Sequence, residues 1–328
     1  KDIQFLIRSE LERFNKIFNS KGSAAILMNV NNGAILSLVS LPDFDPNKRK
    51  EISDLNFINR VTKGVYEYGS VFKTFTVAAG LNEQIIEPDT KFLNLPKSLK
   101  CAGFSINEYD NKIPSNLTTE EILIKSGNIG SVRIAQKVGE EKFKLFLSKL
   151  GILDRIDFDI EEVGTPIKFN WGKCPLATAS YGHGITTTLI QLAKAYSIIV
   201  NGGYYVEPTL VKLNKKIKAE RILDENISSK ILPILRKIVS TKEGTARLAD
   251  IKGYEIGGKT GTANKSFKGI YSKEKINTFV SVFPTTKPKF ILAIMLDAPK
   301  INKNYIYNYR DGSNFKLKGS PRNTAGWN

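Results

Sequence analysis

Ile3, Leu6, Ile7, Leu11, Phe14 and Phe18 recur at three- and four-residue intervals. That spacing predicts an amphipathic helix over 2–18. The pattern then shortens. SAAILMNV (23–30) and AILSLVS (34–40) flank Asn31-Asn32-Gly33. Asn-Gly suits the positive φ angles of a tight turn, so the pair predicts a β-hairpin. Residues 46–63 read as loop. GSVFKTFTVAAG (69–80) predicts a helix starting near Ser70. TTEEILIKSGN (118–128) opens with Thr118 and Glu121 at capping-box spacing. SVRIAQKVG (131–139) and EEKFKLFLSKLG (140–151) read as helices stopped by Gly139 and Gly151. A long helix is predicted over 187–203, ended by Asn-Gly-Gly, and another over 227–240, with Pro233 a candidate kink. YEIGGKTGTA (254–263), INTFVSVFP (276–284) and KFILAIMLD (289–297) have strand length and β-rich composition.

Strands at both ends therefore bracket a helical middle. The expected fold is α+β: an antiparallel sheet from both chain ends, flanked by helices, with a mainly helical subdomain inserted. The sheet part is expected over residues 1–65 and 241–328, the helical part over 66–240. The sequence contains no internal repeat and no low-complexity segment.

Composition narrows the function. The chain has 328 residues, 41% hydrophobic, ample for a core. A single histidine, His183, argues against a histidine-rich metal site, and no metal or cofactor is expected. Cys101 and Cys174 match no zinc spacing, and two cysteines make no disulfide framework; a single bridge is open but nothing in the sequence asks for it. The net charge of +17 suits an anionic partner. The lysines are nonetheless spread along the chain, with small clusters at Lys48–Lys50 and Lys215–Lys218 and no basic run interleaved with aromatics, so nucleic acid is not expected. The longest apolar run, FILAIML (290–296), is strand length and too short to span a bilayer.

Three short motifs carry candidate chemistry. Ser70 and Lys73 form S-x-x-K; on a helix, positions i and i+3 share a face, so the amine can reach the hydroxyl. Serine attacks only when a base takes its proton, and a desolvated lysine can be that base. The pattern recurs at Ser272/Lys275 and Ser313/Lys316, in polar sequence that reads as solvated surface. Ser70 differs because its helix is apolar. Ser126-Gly127-Asn128 is an S-x-N: the hydroxyl can relay a proton and the amide can both donate and accept. A second S-x-N lies at Ser105–Asn107, so the pattern alone is weak. Lys259-Thr260-Gly261-Thr262-Ala263 offers a cation, hydroxyls and a strand glycine open to close backbone approach. The overlapping GYEIGGKT (253–260) matches a phosphate loop, but the next residues, GTANKSFKG, make a poor helix start, which argues against nucleotide binding.

The order S-x-x-K, S-x-N, K-T-G is that of the penicillin-recognising serine enzymes. The chain resembles the transpeptidase domain of class B penicillin-binding proteins along nearly its whole length. LMNVNNGAILSLVSLPDFDPN, RVTKGVYEYGSVFKTFT, YGHGITTTLIQLAKAYSIIVNGGYYVEPTLV and EGTARLADIKGYEIGGKTGTANK look like segments of that family. S-x-N with KTGTA is more similar to the septal, FtsI-like type than to the elongation type. Two departures stand out: Tyr68 where the family usually has proline, and an end at TAGWN where relatives usually continue into a last helix.

The resemblance implies a serine β-lactamase/D,D-transpeptidase-like fold and acyl transfer through Ser70, with Lys73 as its base and Ser126 as proton relay. Asn128 would bind the substrate amide. Lys259, Thr260 and Thr262 would bind the carboxylate of D-Ala-D-Ala or of a β-lactam, with Gly261 between them. The backbone N–H groups of Ser70 and Thr262 would form the oxyanion hole. It also implies peptidoglycan stem peptides as substrate, β-lactams as inhibitors, and a glycosyltransferase and other division proteins as partners. It places the protein at the periplasmic face of the inner membrane, with an anchor helix expected upstream of Lys1. His183 is expected to be structural and Glu67 to form a salt bridge. The rival readings are a serine β-lactamase, for which EEVG (161–164) is the candidate source of a hydrolytic glutamate, a D-Ala-D-Ala carboxypeptidase, a penicillin sensor and an inactive scaffold. The breadth of the segment matches favours the transpeptidase.

Overall fold

The computed structural model describes residues 2–48, 57–212, 219–267, 270–302, 304–308 and 314–316. Arg49 and Lys50, the Lys215–Lys218 cluster, Ser313 of the third S-x-x-K and the TAGWN end lie outside them.

Five strands form one antiparallel sheet in the spatial order Ile35–Leu41, Gly22–Asn29, Phe290–Asp297, Ile270–Phe283, Gly257–Phe267. Both ends of the chain supply it, as the pattern predicts. Alternation along Gly22–Asn29 sorts its two faces. Ala24, Ile26 and Met28 join the main core. Ala25 turns the other way, onto Val39, Leu41 and Leu11. Leu11 belongs to α1 (Asp2–Phe18), which covers that outer face.

The inner face carries the helical part. Its elements are α2 (Phe72–Asn82), α3 (Thr119–Ile124), α4 (Asn128–Val138), α5 (Glu140–Lys149), α6 (Lys173–Ala179), α7 (Leu189–Val200) and α8 (Asn226–Ser240). Every residue of α7 is buried, so it is apolar all round rather than amphipathic. The capping box forms as expected: the Thr118 hydroxyl accepts from the Glu121 N–H at 3.2 Å, and the Glu121 carboxylate accepts from the Thr118 N–H at 2.8 Å. Pro233 sits inside α8, which runs through it.

Three features were not legible in the pattern. Ser98–Cys101 and Phe104–Asn107 pair as a hairpin. Lys173–Ala179 is helical, with Pro175 in its first turn, where proline is tolerated. The third feature is covalent: Cys101 at the end of the hairpin's first strand is bonded to Cys174 in α6, across 73 positions of sequence.

Candidate active site

Ser70 lies in a 3-10 turn, Gly69–Val71, that runs into α2. Every residue from Phe72 to Leu81 is buried. Each large apolar side chain so buried contributes about 1.5–3 kcal/mol, which anchors the turn firmly. Hydrogen bonds add direction. The Tyr196 hydroxyl donates to the Val71 carbonyl at 2.7 Å, and the Thr76 hydroxyl donates to the Ser180 carbonyl at 2.7 Å. Tyr68, two residues before the serine, is wholly buried with its ring edge-on to Tyr66. Its φ of −106° lies outside the range a proline ring permits, so the tyrosine comes with its own backbone geometry.

Glycines let three backbones converge at the serine. A Cβ on Gly69, whose φ is +60°, would lie 2.4 Å from the Thr262 carbonyl oxygen. On Gly261 it would lie 2.2 Å from the Tyr68 carbonyl oxygen, and on Gly182 2.1 Å from that of Gly69. The Gly257–Phe267 strand is thus pressed against the turn carrying Ser70.

Ser126 is the hub. It is buried and sits at φ +58°, a left-handed conformation that costs a non-glycine residue about 1–3 kcal/mol. Both its carbonyl and its hydroxyl are aimed at the same amine: Lys73 Nζ donates to the carbonyl at 2.5 Å and to Oγ at 3.1 Å. Lys73 Nζ also donates to Asn128 Oδ1 at 2.7 Å. From the opposite side Lys259 Nζ donates to the same Ser126 Oγ at 3.0 Å and to the Thr260 carbonyl at 3.0 Å. Both lysines are fully buried. Lysine is almost never fully buried without partners, and here the partners are the motif residues themselves.

Ser70, Ser126, Asn128, Thr260, Gly261 and Thr262 line one cavity of about 620 Å³. Lys73 and Lys259 lie beneath its floor. Lys259 is therefore placed to act on a bound anion through its field and through Ser126, while the Thr260 and Thr262 side of the wall is open to the cavity. Thr260 Oγ1 donates to Thr245 Oγ1 at 3.0 Å, and Thr245 and Arg247 line the same wall. Neither was singled out in the sequence, although both lie in the EGTARLADIKG segment.

The other copies of the motifs differ from the first in placement. Ser272 is exposed on the Ile270–Phe283 strand, at an irregularity in its pairing between Tyr271 and Lys275, and does not line the cavity; Lys275 does line it, but its amine bonds to the Asn264 side chain. The phosphate-loop lookalike ends in a strand that continues to Phe267, with no helix for a phosphate. Asn107 of the second S-x-N abuts the first: its carbonyl accepts from Asn128 Nδ2 at 2.7 Å.

Residues 23–313 match the family described as penicillin binding protein transpeptidase domain. The chain belongs to this family. As a transpeptidase domain it is 31% identical, over 92% of its length and 53% of the relative's, to a protein of Caulobacter vibrioides named probable peptidoglycan D,D-transpeptidase FtsI. It is 30% identical to stage V sporulation protein D of Bacillus subtilis, over 91% of the chain and 48% of the relative. It therefore spans about half the length of each. The apo transpeptidase domain of Burkholderia pseudomallei penicillin-binding protein 3 superposes with a TM-score of 0.81 at 28% identity, covering 91% of this chain and 87% of that one. The fold is the α+β architecture of the serine β-lactamase and transpeptidase superfamily.

The wall of the transpeptidase cavity also includes Tyr181, Gly182, His183 and Glu67. His183 stacks on Tyr271 with centroids 4.9 Å apart. Glu67 is buried; it accepts from the Tyr271 hydroxyl at 2.7 Å and the Gly184 N–H at 2.9 Å, and lies 3.5 Å from His183 Nδ1. The salt bridge expected for Glu67 is thus mainly a set of neutral donors. Burial, then the hydrogen bond to Glu67, pushes the Tyr271 phenol up, so it stays a donor. The Glu161–Glu162 pair is exposed and does not line the cavity; Glu162 Oε1 accepts from the Asn59 N–H at 3.0 Å.

Proposed function

We propose that this domain catalyses D,D-transpeptidation of peptidoglycan stem peptides at the division septum, through an acyl-enzyme on Ser70 that β-lactams trap. The observation that carries the reading is the meeting of Lys73 and Lys259 on the Ser126 hydroxyl, in a cavity lined by Ser70.

Ser70 Oγ attacks the carbonyl carbon of the penultimate D-Ala, and Lys73 takes the serine's proton. The backbone N–H groups of Ser70 and Thr262 bind the oxyanion, as the close approach of Gly69 to Thr262 favours. The C–N bond breaks, and Ser126 passes a proton from the lysine side to the departing D-Ala amine. An amine of a second stem then attacks the ester, loses a proton and releases Ser70 with its hydroxyl restored. Asn128 holds the substrate amide. Thr260 and Thr262 hold the terminal carboxylate over the buried charge of Lys259, with Gly261 giving it room.

A septal rather than elongation role is supported by S-x-N and KTGTA. An oxidising, periplasmic location is supported by the Cys101–Cys174 bond, since such bonds persist in oxidising compartments, and attachment to the inner membrane by an anchor helix belongs to the same proposal. No helix among the described residues is long and apolar enough to cross a membrane. A glycosyltransferase and other division proteins are the partners this role requires.

A fluorescent penicillin tests the chemistry. Label should form on Ser70 and persist for hours, and Ser70→Ala should abolish it with the fold intact. Rapid loss of label would make the protein a β-lactamase; label on Ser70→Ala would refute the assignment. Persistent label without cross-linking of stem peptides, in an assay with donor and acceptor strands, would leave a carboxypeptidase or a sensor. Depletion of the parent protein should give filaments; rounded cells would move it to elongation.

A further inference from the structure

The cavity motifs do not hold themselves in place. α4 begins at Asn128, and the residue before it, Gly127, has no side chain to cap the helix. The first N–H groups of a helix need acceptors from elsewhere. Here they come from Glu108, which lies twenty residues upstream of Asn128 in the chain. Its carboxylate accepts from the Asn128 N–H at 2.7 Å through one oxygen and from the Ile129 N–H at 2.9 Å through the other. A carboxylate is the preferred acceptor there, because the N-terminal end of the helix dipole is positive and charge-assisted bonds are the strong ones.

The neighbouring residue acts on the same asparagine. The Asn107 carbonyl accepts from Asn128 Nδ2 at 2.7 Å, which fixes which way the side-chain amide faces. Its Oδ1 is then left toward Lys73, 2.7 Å from Nζ. Asn107 ends the Ser98–Asn107 hairpin, which is anchored by buried Ile106 and by the Cys101–Cys174 bond. A continuous chain of contacts thus runs from the hairpin through the backbone and amide of Asn128 to the amine of Lys73.

We infer that Glu108 is a positioning residue for acyl transfer: through the backbone of Asn128 it sets the amide that orients Lys73. The inference rests on the reading of this cavity as the acylation site. Glu108 touches neither substrate nor nucleophile in that reading. Its effect belongs chiefly in the rate of bond formation, through Lys73, with a smaller effect on initial binding through the amide that Asn128 offers the ligand.

The test is stopped-flow acylation of the 328-residue chain by a chromogenic penicillin, resolving the non-covalent dissociation constant from the acylation rate constant. Active-site titration and thermal unfolding accompany it. Glu108→Gln has one acceptor oxygen for two parallel N–H donors, and its amide nitrogen faces the other. It should acylate about tenfold or more slowly, since small misplacements near reacting groups cost that much. Its dissociation constant should stay within about threefold, and every molecule should still take label. Glu108→Asp keeps both oxygens on a shorter arm and should fall between Gln and wild type, which serves if the Gln variant does not fold. A wild-type acylation rate constant in either variant, with only the melting temperature or the labelled fraction reduced, would show a purely structural cap and overturn the inference. No label on the wild-type chain would instead overturn the reading beneath it.

Discussion

Lys73 and Lys259 share one acceptor, the Ser126 hydroxyl, at 3.1 and 3.0 Å. Both amines are out of water. The hydroxyl between them touches both amines and lines the cavity, so it is placed to move a proton from either amine toward a bound substrate.

Ser126→Ala removes that shared acceptor. Two buried donors lose a partner, at a cost of about 1–3 kcal/mol. Acylation by penicillin should slow by about a hundredfold or more, within the range of about 10² to 10⁴ typical for general acid–base groups. The check is the rate of labelling beside a urea unfolding curve. Acylation at the wild-type rate would remove Ser126 from the proton path.

Gly182→Ala tests the backbone contact behind the nucleophile. Its Cβ would lie 2.1 Å from the Gly69 carbonyl oxygen, at a φ of +77°. Left-handed strain costs about 1–2 kcal/mol and overpacking about 1–3 kcal/mol more. The urea midpoint should fall accordingly and penicillin labelling should be lost, because the turn carrying Ser70 must move. An unchanged midpoint would show that the Gly69–Gly182 contact is loose.

Much of this arrangement was legible in sequence, and the exceptions have physical causes. The apolar run after Ser70 announced a buried helix, and burial is what made one S-x-x-K stand out from its copies. The hairpin went unread because its turn places Ala102 at φ +47° before Gly103, and alanine gives no turn signal. Alternation in SLKC and FSIN around Gly103 was the available clue. α6 was marked by Pro175 in a short segment, too brief for periodicity to show. Glu108 could not be read at all, since nothing local ties it to a helix start twenty residues on. The buried pair of Arg60 with Asp297, 3.4 Å apart, is likewise a product of the sheet's closure and invisible along the chain.

Reduction should weaken the domain. The Cys101–Cys174 bond closes a long loop, and such bonds contribute about 2–4 kcal/mol. The melting temperature should drop by about 3–6 °C in strong reductant or in Cys101→Ser, at about 1.5 °C per kcal/mol for a chain of 328 residues. Labelling should slow as well, because the bonded hairpin carries the Asn107 carbonyl that holds Asn128. A melting temperature unmoved by reductant would show that the bond is not formed in the folded protein.

Alkaline pH should unfold the domain through its buried phenols. Burial pushes both Tyr66 and Tyr181 up to about 12, from an ordinary value of 10.0. A raised value in the folded state means that the unfolded chain releases its protons first. The contribution of these phenols is therefore complete below about pH 10 and is lost as pH rises toward 12. Tyr181 lines the cavity, so penicillin labelling should fail over the same window as the near-ultraviolet circular dichroism. Ultraviolet titration reads the phenolates directly. If the tyrosines ionise freely near pH 10 while the fold persists, these rings are wetter than their packing indicates, and the cavity wall at Tyr181 is open to solvent.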